Sequence, residues 1–353
     1  MTLAAQQRSN RIKTFVVIAT FVVLIGILGF GLDYYYLGYD PWTPANPSDF
    51  IPRPPRPYVS IGFLALALYW SLWSLYGGDQ AVLDSAMSMR VYPGTWHPQR
   101  KDLLQVVEEM SAVANLPMPR VYVVFDPDPN AFATGRDPAH ASIAVTQGLL
   151  DRLSREELQA VIGHELSHIR SYDVRLMTCI AALVGAAVLL SDWVQRSLSG
   201  GMGVVAEMHQ SYLSRGWKGL TRFPLLLLWV GTAFLAPIIA QILAMAVSRE
   251  REYLADAGSA ELTRHPEALA SALKKIEMEF APTRSMKRGT AHLCIADPIG
   301  RRVGSQEGFW ADLLATHPPM ASRISRLMRM PRENPGMPHE VMTGGSARVS
   351  SEG

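Results

Sequence analysis

Two histidines and a glutamate near the middle of the chain have the types and spacing of a metal site. The run His164-Glu165-Leu166-Ser167-His168 places the histidines four residues apart, and on a helix such residues lie on one face. Both imidazoles can then reach one ion, while Glu165 is turned towards the water that the ion activates. Hydrolytic zinc sites use three protein ligands and keep one position open for water. The pattern predicts a zinc site with Glu165 as general base.

A helix is predicted to carry this motif. Ser154, followed by Glu157 three residues later, forms a capping box, and the apolar positions Leu158, Val161 and Ile162 come next. Because the cap defines where the helix begins, a chance occurrence of the motif becomes a weaker explanation.

The third ligand has to come from elsewhere, and residues 248–256 offer two glutamates on a second predicted helix. We predict Glu252 as the ligand. Asp256 follows four residues later on the same face, where it can accept a hydrogen bond from a ligand histidine. Glu250 lies on a different face and suits a surface ion pair. The alternative for the whole run is a solvated, charged turn after an apolar helix.

Composition indicates a membrane protein. Of 353 residues, 48% are hydrophobic and only 18% are charged, which is unusual for a soluble enzyme. The net charge of +2 gives no support to a nucleic-acid partner. Two cysteines, Cys179 and Cys294, are too few for a disulfide framework and lack the paired spacing of a cysteine zinc site.

Two uncharged runs near the N-terminus, residues 14–32 and 58–76, have the length of membrane-spanning helices. The alternative for the first run is a cleaved signal peptide. The loop between them, residues 33–57, is rich in proline and favours extended chain. Residues 1–80 are therefore expected to form a membrane hairpin.

A second apolar pair, residues 176–191 and 223–248, interrupts the predicted catalytic domain. The first member is short for a span, so a non-spanning hairpin on the protein or in the membrane interface is the alternative. Basic residues before residue 14 place the N-terminus in the cytoplasm by the positive-inside rule. The loop between the later pair disagrees with a spanning hairpin, since it carries four basic residues: Arg196, Arg215, Lys218 and Arg222.

The remaining chain has few strong signals. Residues 120–125 and 142–145 have strand-like composition, and residues 103–113 have the apolar spacing of an amphipathic helix. Residues 331–353 are rich in Pro, Gly, Ser and charge and are expected to form a disordered tail. The catalytic domain is thus predicted over residues 81–330.

The same motifs, taken together, resemble the HtpX-type membrane metallopeptidases, which are relatives of the CAAX prenyl endopeptidases. Four blocks carry the resemblance: Asn130–Gly135, Glu156–His168, Ser248–Asp256, and Thr316–Pro319 followed by Arg323.

The predicted elements indicate a mainly α membrane protein with a small β-sheet and about four transmembrane helices. The resemblance implies that its zinc peptidase domain is gluzincin-like, with one zinc ion bound. The protein would lie in a bacterial inner membrane, with the catalytic domain on the cytoplasmic side. It would cleave membrane or misfolded polypeptides as part of envelope quality control.

The resemblance also implies roles for single residues. Asn130 and Ala131 would hold the substrate backbone at a strand edge; a turn before a strand is the alternative. His317 would stabilise the oxyanion of the transition state, with Arg323 behind it; a surface turn histidine is the alternative.

Two rival functions remain. An intramembrane site-two-type protease would carry its histidine motif inside a spanning helix and would use a Leu-Asp-Gly ligand motif, which this sequence lacks. A catalytically inert membrane scaffold would need the metal ligands but not Glu165, and its presence favours an enzyme.

Overall fold

The computed structural model describes residues 3–35, 39, 56–181, 183, 249–278, 293–296 and 318–330. Within these residues the fold is mainly helical, with one small mixed sheet. The helices are α1 (Leu3–Tyr35), α2 (Tyr58–Tyr76), α3 (Gly78–Ser85), α4 (Pro98–Val113), α5 (Gln147–Arg152), α6 (Arg155–Arg170), α7 (173–181), α8 (Arg249–Thr263), α9 (Pro266–Met278) and α10 (Met320–Leu327).

Four strands form the sheet in the order β1-β2-β4-β3: β1 (Ser88–Arg90), β2 (Arg120–Val124), β3 (Ala131–Gly135) and β4 (Ala141–Thr146). β2 and β4 run parallel, and the other two pairs are antiparallel. The two central strands are the ones that the sequence predicts. β1 and β3 are short and were not predicted as strands, because neither has an alternating apolar pattern long enough to stand out.

The main core lies between the sheet, α4, α6 and α9. Its fully buried side chains include Leu103, Val106, Ile143, Ile162, Leu166, Leu269 and Leu273. The predicted apolar face of α4 is largely correct, but Val113 at the end of the helix is 59% exposed. The histidine helix α6 is therefore held on several sides, which fixes the direction of its side chains.

The predicted capping box begins α6. Glu157 N donates to Ser154 Oγ at 3.3 Å, and Ser154 N donates to Glu157 Oε2 at 2.8 Å. Glu157 also accepts from Ser271 Oγ and Lys275 Nζ of α9, both at 2.7 Å. The cap thus starts α6 and also joins it to α9. Its donors hold the pKa of Glu157 below its usual range, although burial acts to raise it.

Helices α1 and α2 form an antiparallel hairpin whose apolar surface is mostly exposed. By length and composition both could cross a membrane, and only 28% of the most apolar part of α1 and 22% of that of α2 are buried. A core helix of a soluble protein would be mostly buried. At Gly29 the helices lie so close that a Cβ atom would come within 3.0 Å of Ser60 Cα.

Asp33 is part of α1 and not of the loop that the sequence suggests. Its carboxylate is fully buried and accepts hydrogen bonds from Val59 N, Ser60 N and Ser60 Oγ at 3.1, 2.6 and 2.6 Å. These N–H groups belong to the first turn of α2, which has no partner of its own for them. A residue of one helix therefore caps the next and fixes the hairpin.

Several predicted segments fall outside the described residues. They include most of the proline-rich loop 33–57, the tail 331–353, and the second apolar pair, of which only residues 176–181 and 183 are described. The described residues thus contain two helices that could span a membrane.

Candidate metal centre

Helices α6 and α8 bring the three predicted ligands together. His164 Nε2 and His168 Nε2 lie 3.2 Å apart. One oxygen of Glu252 lies 3.5 Å from His164 Nε2, and the other lies 3.5 Å from His168 Nε2. A hydrogen bond also joins the two helices, since Ser259 Oγ of α8 donates to Ala160 O of α6 at 2.6 Å.

This spacing fits a zinc ion. Zinc binds imidazole nitrogen and carboxylate oxygen at about 2.0–2.2 Å, so two ligand atoms of a tetrahedral site lie about 3.3 Å apart. The two Nε2 atoms are 3.2 Å apart, and each lies 3.5 Å from a different oxygen of Glu252, so the three side chains lie near this spacing. Two histidines and one carboxylate also form a typical ligand set of hydrolytic zinc sites. Glu250, the other candidate, is exposed.

Glu165 lies beside the ligands in the same cavity. The cavity is lined by the three ligands, by Glu165 and by mostly apolar residues that include Val174 and Met177. Burial raises the pKa of the Glu165 carboxyl above its usual range. A metal ion at the ligands would add positive charge and oppose that shift, so the carboxylate form needed for a general base is favoured when the metal is present.

Asp256 and Arg323 support His164. His164 Nδ1 lies 3.0 Å from Asp256 Oδ1, although the ring N–H is not aligned with that oxygen for a good hydrogen bond. Arg323 is fully buried and donates from two nitrogens to both oxygens of Asp256 at 2.9 and 2.7 Å. Its Nη1 also lies 3.4 Å from Glu252 Oε2. One buried guanidinium therefore holds both a ligand and a ligand's neighbour.

The charges of this group depend on each other. Burial acts to raise the pKa of Asp256, but Arg323 and His164 hold it below its usual range. Burial acts to lower the pKa of His164, but Asp256 and Glu252 outweigh burial and raise it. Zinc requires neutral imidazole, so its binding has to displace any such proton.

His168 has an equivalent neighbour that the sequence did not reveal. Asp173 at the start of α7 is buried, and its Oδ2 lies 3.3 Å from His168 Nδ1. Burial acts to lower the pKa of His168, but Asp173 and Glu252 raise it to about 10. A carboxylate on the outer nitrogen directs the inner one towards a metal. Asp173 follows His168 by five positions, and no local sequence pattern predicts the contact.

The polar groups of Asn130 and Ala131 face the chain itself. Ala131 O accepts from Ile295 N at 2.9 Å, and Asn130 Nδ2 donates to Ala296 O at 3.1 Å. Residues 293–296 thus lie along the free edge of β3, and Arg323 Nη1 donates to Ile295 O at 2.7 Å. The predicted substrate role of Asn130 and Ala131 requires a peptide to replace these contacts. His317 lies outside the described residues, immediately before Pro318.

Comparison with known proteins decides the family. The model of peptidase family M48 matches residues 98–330, which is more than half of the chain and contains all three predicted metal ligands. The chain belongs to peptidase family M48. A protease HtpX homolog of Caldanaerobacter subterraneus is 37% identical over 329 residues, covering 92% of this chain and 97% of the relative. The corresponding protein of Lactiplantibacillus plantarum is 38% identical over 330 residues, covering 93% and 100%.

The predicted resemblance to HtpX-type metallopeptidases is thus confirmed, and this M48 chain is a metalloprotease. Among solved structures, that of S. mikatae Ste24p aligns with 92% of this chain and 67% of its own length, with a TM-score of 0.43 and 14% identity. The exposed apolar surface of α1 and α2 indicates membrane association.

Proposed function

We propose that the chain is a zinc endopeptidase of the bacterial inner membrane that cleaves membrane or misfolded proteins as part of envelope quality control. The observation that carries the catalytic part is the cluster of His164, His168 and Glu252, with separations near those of a tetrahedral zinc site and Glu165 in the same cavity. One zinc ion per chain follows from the single cluster found among the described residues.

Each residue of the site has a distinct task in peptide hydrolysis. When bound, zinc lowers the pKa of a water molecule and polarises the carbonyl of the peptide bond. Glu165 takes the proton of the attacking water and later passes it to the leaving amine. Asp256 and Asp173 lie next to the outer imidazole nitrogens, which leaves Nε2 of each histidine available for the metal. The proposed role of His317 is to stabilise the oxyanion.

Two observations on α1 support the proposed cytoplasmic position of the metal site. The first turns of α1, before its apolar stretch, contact the C-terminal end of α6, since Gln7 Nε2 donates to Arg170 O at 2.9 Å. The N-terminus and the metal site then lie on the same side of the membrane. Arg8, Arg11 and Lys13 flank the span on that side, as the positive-inside rule requires of a cytoplasmic end.

The membrane setting also bears on the rival reading of a site-two-type protease. α6 is not among the described helices that are long and apolar enough to cross a membrane.

The apolar lining of the cavity supports the proposed substrate class, because it suits side chains that a folded soluble protein buries.

The decisive experiment compares Glu165→Gln with the unchanged protein, purified in detergent. Zinc content is measured first, and cleavage of casein and of an unfolded membrane protein second. We expect full zinc content and a loss of activity of about 10²–10⁴-fold, the contribution of a general base. Glu156→Gln, an exposed position on the same helix, is the control and should keep its activity.

The outcomes separate the alternatives. Equal activity of Glu165→Gln would refute the mechanism. Zinc binding without any hydrolysis by the unchanged protein would favour an inert scaffold.

Labelling of single cysteines placed before residue 14 and in residues 98–113 tests the orientation, since both have to react from the cytoplasm.

A further inference from the structure

Asn10 is a buried amide on α1, four residues before the apolar stretch begins at Thr14. Its Nδ2 donates to Ser171 O at 3.0 Å and to Asp173 Oδ1 at 2.6 Å. An amide NH₂ group has two donor hydrogens. Asn10 therefore uses both of them on the turn that follows the histidine helix, more than 160 residues away in the sequence.

One carboxylate oxygen of Asp173 is held by donors from α1 and α8, and the other faces the predicted ligand His168. Oδ1 accepts from Asn10 and lies 3.2 Å from Arg251 Nη1 of α8. Oδ2 accepts from Ser171 Oγ at 2.8 Å and lies 3.3 Å from His168 Nδ1. Because the carboxylate is one rigid plane, whatever fixes Oδ1 also fixes the oxygen that faces the imidazole.

The turn itself needs external support. Tyr172 has a φ of 61°, in the left-handed region that bulky residues rarely adopt. The guanidinium of Arg11 lies over the Tyr172 ring, 5.3 Å from its centroid. Contacts from α1 thus hold both the strained residue and the carboxylate after it.

We propose that Asn10 is a positioning residue of the metal site: from the first membrane helix it fixes Asp173, and through Asp173 the ring of His168. This inference rests on the proposed zinc function and extends it to the membrane anchor. A displacement of α1 would move Asp173, and with it the ring of the predicted ligand His168. A movement of the membrane helix would therefore change the geometry of the metal site.

The test measures zinc affinity of the full chain in detergent, by competition with a chelator, together with the visible spectrum of the Co²⁺-loaded protein. Asn10→Leu keeps the approximate size of the side chain but removes both donors. We expect zinc binding about ten-fold weaker, at the lower end of the 10–100-fold range for groups that support ligands. The Co²⁺ spectrum should shift, because the angle of one imidazole changes.

Gln7→Leu is the matched control. Gln7 lies about one turn before Asn10 on α1 and donates to Arg170 O at 2.9 Å, so it joins the same two helices without bonding to Asp173. We expect this variant to bind zinc like the unchanged protein. In an Asp173→Ala background, adding Asn10→Leu should cause no further loss, because the two residues act along one path.

Each outcome decides the matter. Unchanged affinity and spectrum in Asn10→Leu would overturn the inference, and so would equal losses in Asn10→Leu and Gln7→Leu, since α1 would then act only as a general clamp. If Asn10→Leu does not fold, Asn10→Ser replaces it with the same expectations. Absence of zinc binding by the unchanged protein would instead refute the proposed function.

Discussion

The two histidines of the metal site receive the same kind of support from different parts of the molecule. His164 faces Asp256, which is held by Arg323 from α10, near the end of the described chain. His168 faces Asp173, which is held by Asn10 from α1, near its beginning. In each case a buried carboxylate lies between a ligand and a distant donor. One donor belongs to the peptidase domain and the other to the membrane hairpin.

The two sides differ in how many groups hold the supporting carboxylate. Arg323 is a fully buried charge that contacts two carboxylates, Asp256 and Glu252, so the His164 side depends on one cation. On the other side Asn10, Ser171 and Arg251 share the task of holding Asp173. We infer that the support of His164 is stronger but is lost with a single residue. The support of His168 is weaker, is shared among several groups and changes when the membrane helix moves.

Loss of Glu252 affects both sides at once and should have the largest effect. Glu252→Ala removes the ligand that lies 3.5 Å from each histidine nitrogen. We expect a fall in zinc affinity greater than the 10–100-fold of a supporting group, and loss of hydrolysis. Metal analysis of Glu252→Ala beside Glu250→Ala measures this. Retention of zinc by the first variant and loss by the second would transfer the ligand role to Glu250.

Replacing the two buried arginines tests the asymmetry of support. Arg323→Met leaves two buried carboxylates without their cation and should destabilise the fold by about 3–5 kcal/mol. Arg251→Met should cost less, because Asp173 keeps two other donors. Thermal unfolding in detergent gives both values. Arg329→Met, an exposed position just after α10, controls for loss of positive charge. A larger loss for Arg251→Met would reverse the comparison.

Replacing each carboxylate tests whether the two supports are equivalent at the metal. Asp256→Asn and Asp173→Asn should each weaken zinc binding by about 10–100-fold, because neither amide can hold the imidazole as the carboxylate does. Chelator competition measures both. An effect confined to Asp256→Asn would mean that Asp173 serves only the packing of α7.

At the N-terminal end of α6, the stability that Glu157 contributes should depend on pH and not on metal binding. The pKa of Glu157 is lowered from 4.5, so its contribution to stability is complete above that pH and is lost as pH falls through the lower value of the folded state. From about pH 5.5 to about pH 3.5, Glu157→Gln should lose less thermal stability than the unchanged protein. Ser154→Ala should lower stability by about 1 kcal/mol at neutral pH. Parallel acid sensitivity in Glu157→Gln would contradict this assignment.

The sequence was informative where the determinants are local. Ser154 and Glu157 mark the start of α6, His164 and His168 lie one helical turn apart, and Asp256 follows Glu252 by the same interval. Each of these relations spans three or four residues and follows from helix geometry.

Sequence reasoning failed where the contact joins distant residues. Nothing near Asn10 indicates that its amide meets Asp173, and nothing near Asp33 indicates that it caps α2. The pairing of residues 293–296 with β3 depends on tertiary packing that a strand pattern does not contain. Spacing thus predicts which side chains come together at the candidate metal site, whereas it does not predict the residues that support them.

The unbroken length of α1 has a consequence for where cleavage takes place. Its 33 residues extend about 50 Å, whereas the hydrocarbon core of a bilayer is about 30 Å thick. Asn10 precedes Thr14 by four residues, about 6 Å of helix rise. Asn10 bonds to Asp173, the neighbour of the predicted ligand His168. In the proposed membrane orientation, the metal centre would therefore lie close to the lipid headgroups, and peptide bonds that emerge just above the bilayer would be the ones within its reach.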